Sequence, residues 1–190
     1  MVVWSDGDTT FNGEILAEAH GVGNGGFVEV SGFGTLQFDG FVSTLSASGN
    51  SGTLLLDPTN VTIGAGGDIT KAALISALGG GNVVIHTSSS ETDLGNITVR
   101  NGGGNLFYNS TNHLSLFAHG NVIVDDNIQN DGAGNINIVA GWDGTGSDSF
   151  AFDPTSSSLP GGGEGAAGDI SFATLSCLLY TSPSPRDKTV

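Results

Sequence analysis

The chain has 190 residues, enough for one domain with a hydrophobic core, and its composition is rich in glycine (32 residues) and poor in charged residues (12%). Its formal net charge is −15, because 19 acidic residues outnumber 4 basic ones. Nucleic acids and anionic membranes are bound through Lys and Arg, so we expect neither as a partner. No apolar run approaches the roughly 20 residues that span a bilayer, so we expect no membrane insertion.

Short apolar runs in the first third of the chain predict β-strands. They are separated by Gly, Ser, Asn and Asp, which favour turns. Several of them alternate apolar and polar residues, the pattern of a strand with one buried face. The predicted strands are residues 27–30, 36–38, 41–45, 54–56 and 61–63.

One segment, residues 68–78, has a helical pattern instead. Its apolar residues recur near helical spacing, which predicts one short helix near residues 69–78. Asp68 or Thr70 is a candidate N-cap, and three glycines at 79–81 are expected to end the helix.

A Gly-Asn dipeptide followed by alternating apolar residues recurs in the second half of the chain. It begins at Gly81, Gly95, Gly120 and Gly134, with a variant, GDISF, at Gly168. The repeated spacing predicts a solenoid with turns of roughly 20 residues. We interpret the chain as an all-β parallel β-helix, with apolar residues stacked inside, Gly and Asn at the corners, and ladders of asparagine side-chain amides from turn to turn.

Two parts of the chain depart from this design. Residues 141–168 are richer in Gly, Ser and Pro, and we expect a long loop there that holds one strand at 150–152. Residues 177–190, CLLYTSPSPRDKTV, contain the only Cys and two of the basic residues, and we interpret them as a non-native, vector-like tail. The predicted β-helix therefore covers residues 1–176.

Three stretches of this sequence resemble the filamentous-haemagglutinin-like exoproteins of Gram-negative bacteria. The first is GNGGFVEVSGFGTLQFDGFVSTLSASGNSGTLLLDPTNVTI, at residues 23–63, where those proteins have a GNGGFVE-S segment followed by G-x-LLLDP. The others are ITKAALISALGGGNVVIHTSSS and HLSLFAHGNVIVDDNIQNDGAGNINIVAG, which match their short helix and their later coils. The resemblance extends over residues 2–175.

The resemblance implies a right-handed parallel β-helix inside a long secreted protein of the bacterial cell surface. Such proteins are exported through a dedicated outer-membrane transporter, by two-partner secretion, and act as adhesins or contact-dependent toxin carriers. MVVWSDGD at the start lacks the features of a signal peptide, so we expect an interior segment. The expected function is structural, in support of cell adhesion, with a host glycan or protein as receptor and with no enzymatic activity or cofactor.

Candidate metal ligands are few. Residues 143–150, DGTGSDSF, nearly match the calcium-binding nonapeptide GGxGxDxUx, with Asp143 and Asp148 as candidate calcium ligands, but this motif normally occurs in tandem copies and the chain has one. Asp6 and Asp8 form a weaker acidic candidate, and the pair at 125–126 is expected to be a solvated corner. The four histidines, His20, His86, His113 and His119, have no zinc-site spacing.

Two alternative functions stay open at this point. One is a calcium-dependent or glycan-binding β-solenoid module. The other is a polysaccharide-active β-helix enzyme, which would need paired carboxylates with Lys or Arg nearby. Outside the tail the chain has only two such residues, Lys71 and Arg100, which disfavours the enzyme.

Overall fold

The computed structural model of the chain describes residues 1–90, 92–142 and 168–172. It confirms a parallel β-helix with one short helix. The elements are β1 (Val2–Ser5), β2 (Thr9–Phe11), β3 (Glu14–Leu16), β4 (Phe27–Gly32), β5 (Leu36–Phe38), β6 (Phe41–Ser43), β7 (Thr53–Pro58), β8 (Val61–Ile63), α1 (Lys71–Gly80), β9 (Asn82–His86), β10 (Ile97–Val99), β11 (Leu106–Tyr108), β12 (Leu114–Ala118), β13 (Val122–Val124), β14 (Ile128–Asn130), β15 (Ile136–Ala140) and β16 (Ile170–Phe172).

The described strands form three faces, and every pair among them is parallel. Face 1 is a six-stranded sheet in the order β1, β4, β7, β9, β12, β15. Face 2 contains the pair β2–β5 and the sheet β8–β10–β13–β16, and face 3 contains the pairs β3–β6 and β11–β14. The chain visits the faces in turn, so each strand of face 1 starts a new coil. We number these coils 1 to 6.

Apolar side chains of face 1 stack inside the solenoid in continuous columns. Parallel pairing in register places equivalent residues of successive coils above one another. One column consists of Val3, Val30, Leu56, Ile85, Leu116 and Ile138. Four of these six side chains, from Val30 to Leu116, have no exposed surface. The core is therefore shared by all coils, and no coil buries its apolar residues alone.

The helix α1 takes the place of a face 3 strand in coil 3. It lies between β6 and β11 and also contacts β9. The side chain of Thr70 caps it by accepting a hydrogen bond of 3.0 Å from the Ala73 N–H, so Thr70 and not Asp68 is the cap. The helix runs two residues further than predicted, through Gly79 and Gly80. No helix among the described residues is long and apolar enough to cross a membrane.

The predicted length of one solenoid coil, roughly 20 residues, was wrong, because the coils are longer. The Gly-Asn motifs do not mark one face: those at Gly81 and Gly134 precede face 1 strands, whereas those at Gly95 and Gly120 precede face 2 strands. The shorter spacing therefore separates two faces. A full coil takes 22 residues between Ser115 and Asn137 and 31 residues between Asn82 and His113. The coils differ in length because their corner loops differ.

Asparagines recur at the corner that precedes face 2, but their hydrogen bonds differ from the predicted ladder of side-chain amides. The side-chain Oδ1 of Asn60 accepts from the N–H of Asn96 (2.7 Å), and Oδ1 of Asn96 accepts from the N–H of Asn121 (2.8 Å). Asn121 in turn accepts from the N–H of Asp169 (2.8 Å), in the GDISF variant, which forms β16 as expected. The bonds join side chain to backbone, because each corner N–H has no strand partner and needs an acceptor.

Several predictions concern residues that the structure does not describe. The strand at 150–152, most of the loop at 141–168 and the tail at 177–190 lie outside the described residues.

Candidate functional surfaces

A groove runs along α1 at the junction of faces 2 and 3. It forms because a helix is wider than the strand that it replaces, so its outer side stands away from the corners of coils 1 and 2. The groove has a volume of about 390 Å³ and is lined by Asn12, Gly13, Asp39, Gly40, Phe41, Ala72, Ala73 and Ser76.

The groove can form hydrogen bonds to a ligand but carries few groups that could take part in a reaction. An amide, a carboxylate and a hydroxyl, from Asn12, Asp39 and Ser76, surround an apolar patch formed by Phe41 and Ala72. This set can hydrogen-bond to a neutral polar molecule and pack against one of its faces. General acid–base catalysis normally needs two titratable groups in different protonation states, and one carboxylate does not provide them.

A second feature is an apolar cluster on the outer side of face 1. Leu55, Val84 and Phe117 point outward there, yet each is at most 3% exposed. Trp142, which follows β15, stacks on Phe117 with ring centroids 5.3 Å apart. The Nδ1 of His86 lies beside this cluster, 3.3 Å from the Asp57 carboxylate.

Because the rings of Phe117 and Trp142 are already packed against each other, the described part of this cluster offers a ligand no exposed aromatic face. Trp142 is only 4% exposed. A sugar ring needs an accessible aromatic face to stack on, so the cluster functions as a second, smaller core outside the solenoid.

A third feature is a buried ion pair between Lys71, the first residue of α1, and Asp126. Their side chains are 2% and 9% exposed. The expectation that residues 125–126 form a solvated corner is therefore wrong for Asp126. The Lys71 ammonium also donates to the carbonyl oxygens of Gly102 (2.9 Å) and Gly104 (2.6 Å).

Of the predicted metal candidates, the structure describes only the weaker pair, Asp6 and Asp8. Asp143 and Asp148 lie outside the described residues. Asp8 accepts hydrogen bonds from the backbone N–H and the hydroxyl of Thr35, which hold the pKa of Asp8 below its ordinary value. Among the described residues, no three His, Cys, Asp or Glu side chains are close enough to hold a metal ion.

The histidines are dispersed over the surface and the corners. His20 is exposed, near Glu18, whereas His86 is buried against Trp142. His113 is half-buried, and burial lowers its pKa. The Nδ1 of His119 lies 3.3 Å from the carbonyl oxygen of Leu94.

Sequence reasoning missed the groove and the buried ion pair. The groove depends on which corners lie next to α1, and the three-dimensional stacking decides this. The ion pair had a weak signal, because Lys71 and Arg100 are the only basic residues outside the tail and Lys71 directly follows the helix cap.

Comparison of the chain with family models, curated proteins and solved structures gave no match.

Proposed function

We propose that this chain is a structural segment of the β-helical shaft of a large secreted, filamentous-haemagglutinin-like surface adhesin, and that it supports cell adhesion. The observation that carries the proposal is the continuous stacking of face 1. Its six strands form one sheet, and in the described part β1 and β15 each pair on one side only. Such a solenoid can be extended at either end by further coils.

The role of such a segment is mechanical. Coils stack at about 4.8 Å, the spacing of paired strands, so six coils extend over roughly 30 Å. Backbone hydrogen bonds run along the axis, and the corner ladder of Asn60, Asn96 and Asn121 adds a further row. The rod holds a binding tip away from the cell and needs no reactive site of its own.

The resemblance supplies the cellular setting of the proposal. The parent protein is secreted through an outer-membrane transporter partner and acts at the bacterial cell surface. A host glycan or protein is its receptor. The shaft segment itself performs no catalysis, and the packed walls and the low number of basic residues support this assignment.

Electron microscopy of an engineered exoprotein tests the proposal. The full chain is inserted between a two-partner secretion module and an epitope tag, and a glycine–serine insert of equal length serves as the control. We expect the β-helical insert to lengthen the secreted rod by about 30 Å and the control insert to add no rod. A secreted protein in which both inserts give the same rod length would overturn the proposal.

The groove beside α1 favours a second candidate function, binding of a neutral glycan. The test is a glycan array with the full chain and with the variants Asp39→Ala and Ser76→Ala. Asp6→Ala is the matched control, because Asp6 is exposed and does not line the groove. Glycan binding that both groove variants abolish and the control retains would support this function. Binding that is absent, or equal in all variants, would exclude it.

A further inference from the structure

Lys71 is the best-buried cation among the described residues, although it is the first residue of a helix. Its three ammonium protons are fully used, because Nζ donates to the carbonyl oxygens of Gly102 and Gly104 and to the carboxylate of Asp126. An ammonium group removed from water is costly unless it is paired and hydrogen-bonded in this way.

The partners of Lys71 come from later coils. Lys71 belongs to coil 3, whereas Gly102 and Gly104 lie in the loop between β10 and β11, in coil 4. Asp126 lies between β13 and β14, in coil 5, and is separated from Lys71 by 55 residues. The only carboxylate that pairs with this ammonium in the described structure thus arrives two coils later.

The helix depends on docking. An isolated helix of ten residues is marginal in water, so α1 is stable mainly because Leu74, Ala77 and Leu78 pack into the core. Docking of α1 also carries Lys71 into its buried position. The free energy gained by burying the apolar side chains is therefore opposed by the free-energy cost of burying the ammonium group, until the hydrogen-bond partners of Lys71 are in place.

We propose that the Lys71–Asp126 pair is a conformational latch that makes the docking of α1 in coil 3 conditional on the stacking of coil 5. Coils 3, 4 and 5 then form one cooperative unit, instead of closing independently as nearest neighbours do in a simple solenoid. This coupling does not depend on the role of the solenoid in adhesion.

Hydrogen–deuterium exchange of the full chain, read at the amides of α1, tests the latch. Asp126→Asn removes the charge but keeps Oδ1, which accepts the hydrogen bond from the N–H of Asn127. Asp125→Asn removes the neighbouring charge at the same corner and is the matched control. Lys71→Met removes the ammonium and keeps most of the side-chain volume.

We expect Asp126→Asn to speed exchange in α1 at least tenfold, while β1 and β4, in coils 1 and 2, exchange at the original rate. Asp125→Asn should leave α1 unchanged. The double variant Lys71→Met/Asp126→Asn should return α1 exchange to within about threefold of the original rate, because no buried ammonium is left without a counter-charge.

Two results would overturn the latch. One is a faster exchange in Asp126→Asn that is confined to residues around the corner itself, with α1 unaffected. The other is a double variant that exchanges as fast as Asp126→Asn. If Asp126→Asn alone does not fold, the double variant decides: recovery of a folded chain supports the latch, and failure to recover one contradicts it.

Discussion

At the scale of single residues, His113 occupies a ladder position that asparagine holds elsewhere. Its backbone N–H donates to Oδ1 of Asn82 (3.0 Å), and its Nδ1 accepts from the N–H of Asn135 (2.8 Å). An imidazole accepts at Nδ1 only when it is neutral, and burial lowers the pKa of His113 in the same direction. The hydrogen bonds at the corner that precedes face 1 therefore require a neutral histidine.

This geometry predicts a loss of stability in acid. With the native pKa of His113 below the unfolded value of about 6.5, the unfolded chain binds the proton first as the pH falls. Above about pH 6.5 His113 makes its full contribution to the free energy of unfolding, and this contribution is lost as the pH falls from there to the lowered native pKa. His113→Asn keeps an acceptor without a titratable ring and should lose this part of the pH dependence.

Urea unfolding at about pH 7.5 and about pH 5 measures the effect. His20→Asn is the control, because the His20 side chain is 86% exposed. We expect the stability difference between the two pH values to be smaller in His113→Asn than in the original chain and in His20→Asn. An equal difference in all three proteins would show that His113 is not the titrating group.

At the scale of elements, the abundant glycine has a common cause at the corners of the coils. A Cβ added to Gly52, just before β7, would lie 1.9 Å from the carbonyl oxygen of Gly26 in the coil below. Side chains are excluded at such positions because two backbones approach each other there. Gly79 differs, since a Cβ in its place, near the end of α1, would have no atom within 4 Å.

These two glycines make a matched pair of variants. Gly52→Ala should destabilise the chain by about 1–3 kcal/mol, because the coils must move apart. Gly79→Ala should stabilise it by about 0.5–1 kcal/mol, because alanine loses less backbone entropy in a helix. Denaturant unfolding measures both values, and destabilisation of similar size by the two substitutions would contradict the corner explanation.

The cap of α1 gives a further prediction for this element. Thr70→Ala removes the acceptor for the Ala73 N–H and should cost about 1 kcal/mol of unfolding free energy. Thr70→Ser keeps the hydroxyl and should cost less. The measurement is again denaturant unfolding, and equal losses in the two variants would show that the hydroxyl does not act as a cap.

Most elements could be predicted because their signals are local. The runs 36–38 and 61–63 coincide with β5 and β8, and the helix was placed within two residues at each end. Coil length could not be predicted, because Gly-Asn occurs at the corners of two different faces and the sequence does not label the face. The partner of Lys71 could not be found either, because a contact across 55 residues depends on the stacking of whole coils.

At the scale of the whole molecule, one apolar core passes through all the coils, together with a smaller external cluster around Trp142. Each inner column depends on the coils above and below it, so a folded chain should unfold cooperatively over several coils. The structural role that we propose for this solenoid is passive and requires no metal ion. A calcium-dependent module, in which Asp143 and Asp148 bind the ion, would instead be stabilised by calcium.

The most direct test is a thermal melt of the full chain, monitored by far-UV circular dichroism, with and without millimolar calcium. For a structural segment we expect a β-rich spectrum and a cooperative transition at the same temperature in both conditions. An ion that bound only the folded state would raise the melting temperature. Two results would contradict the structural role. One is a chain that is disordered until calcium is added. The other is a melting temperature that calcium raises and that the substitutions Asp143→Asn and Asp148→Asn return to the calcium-free value.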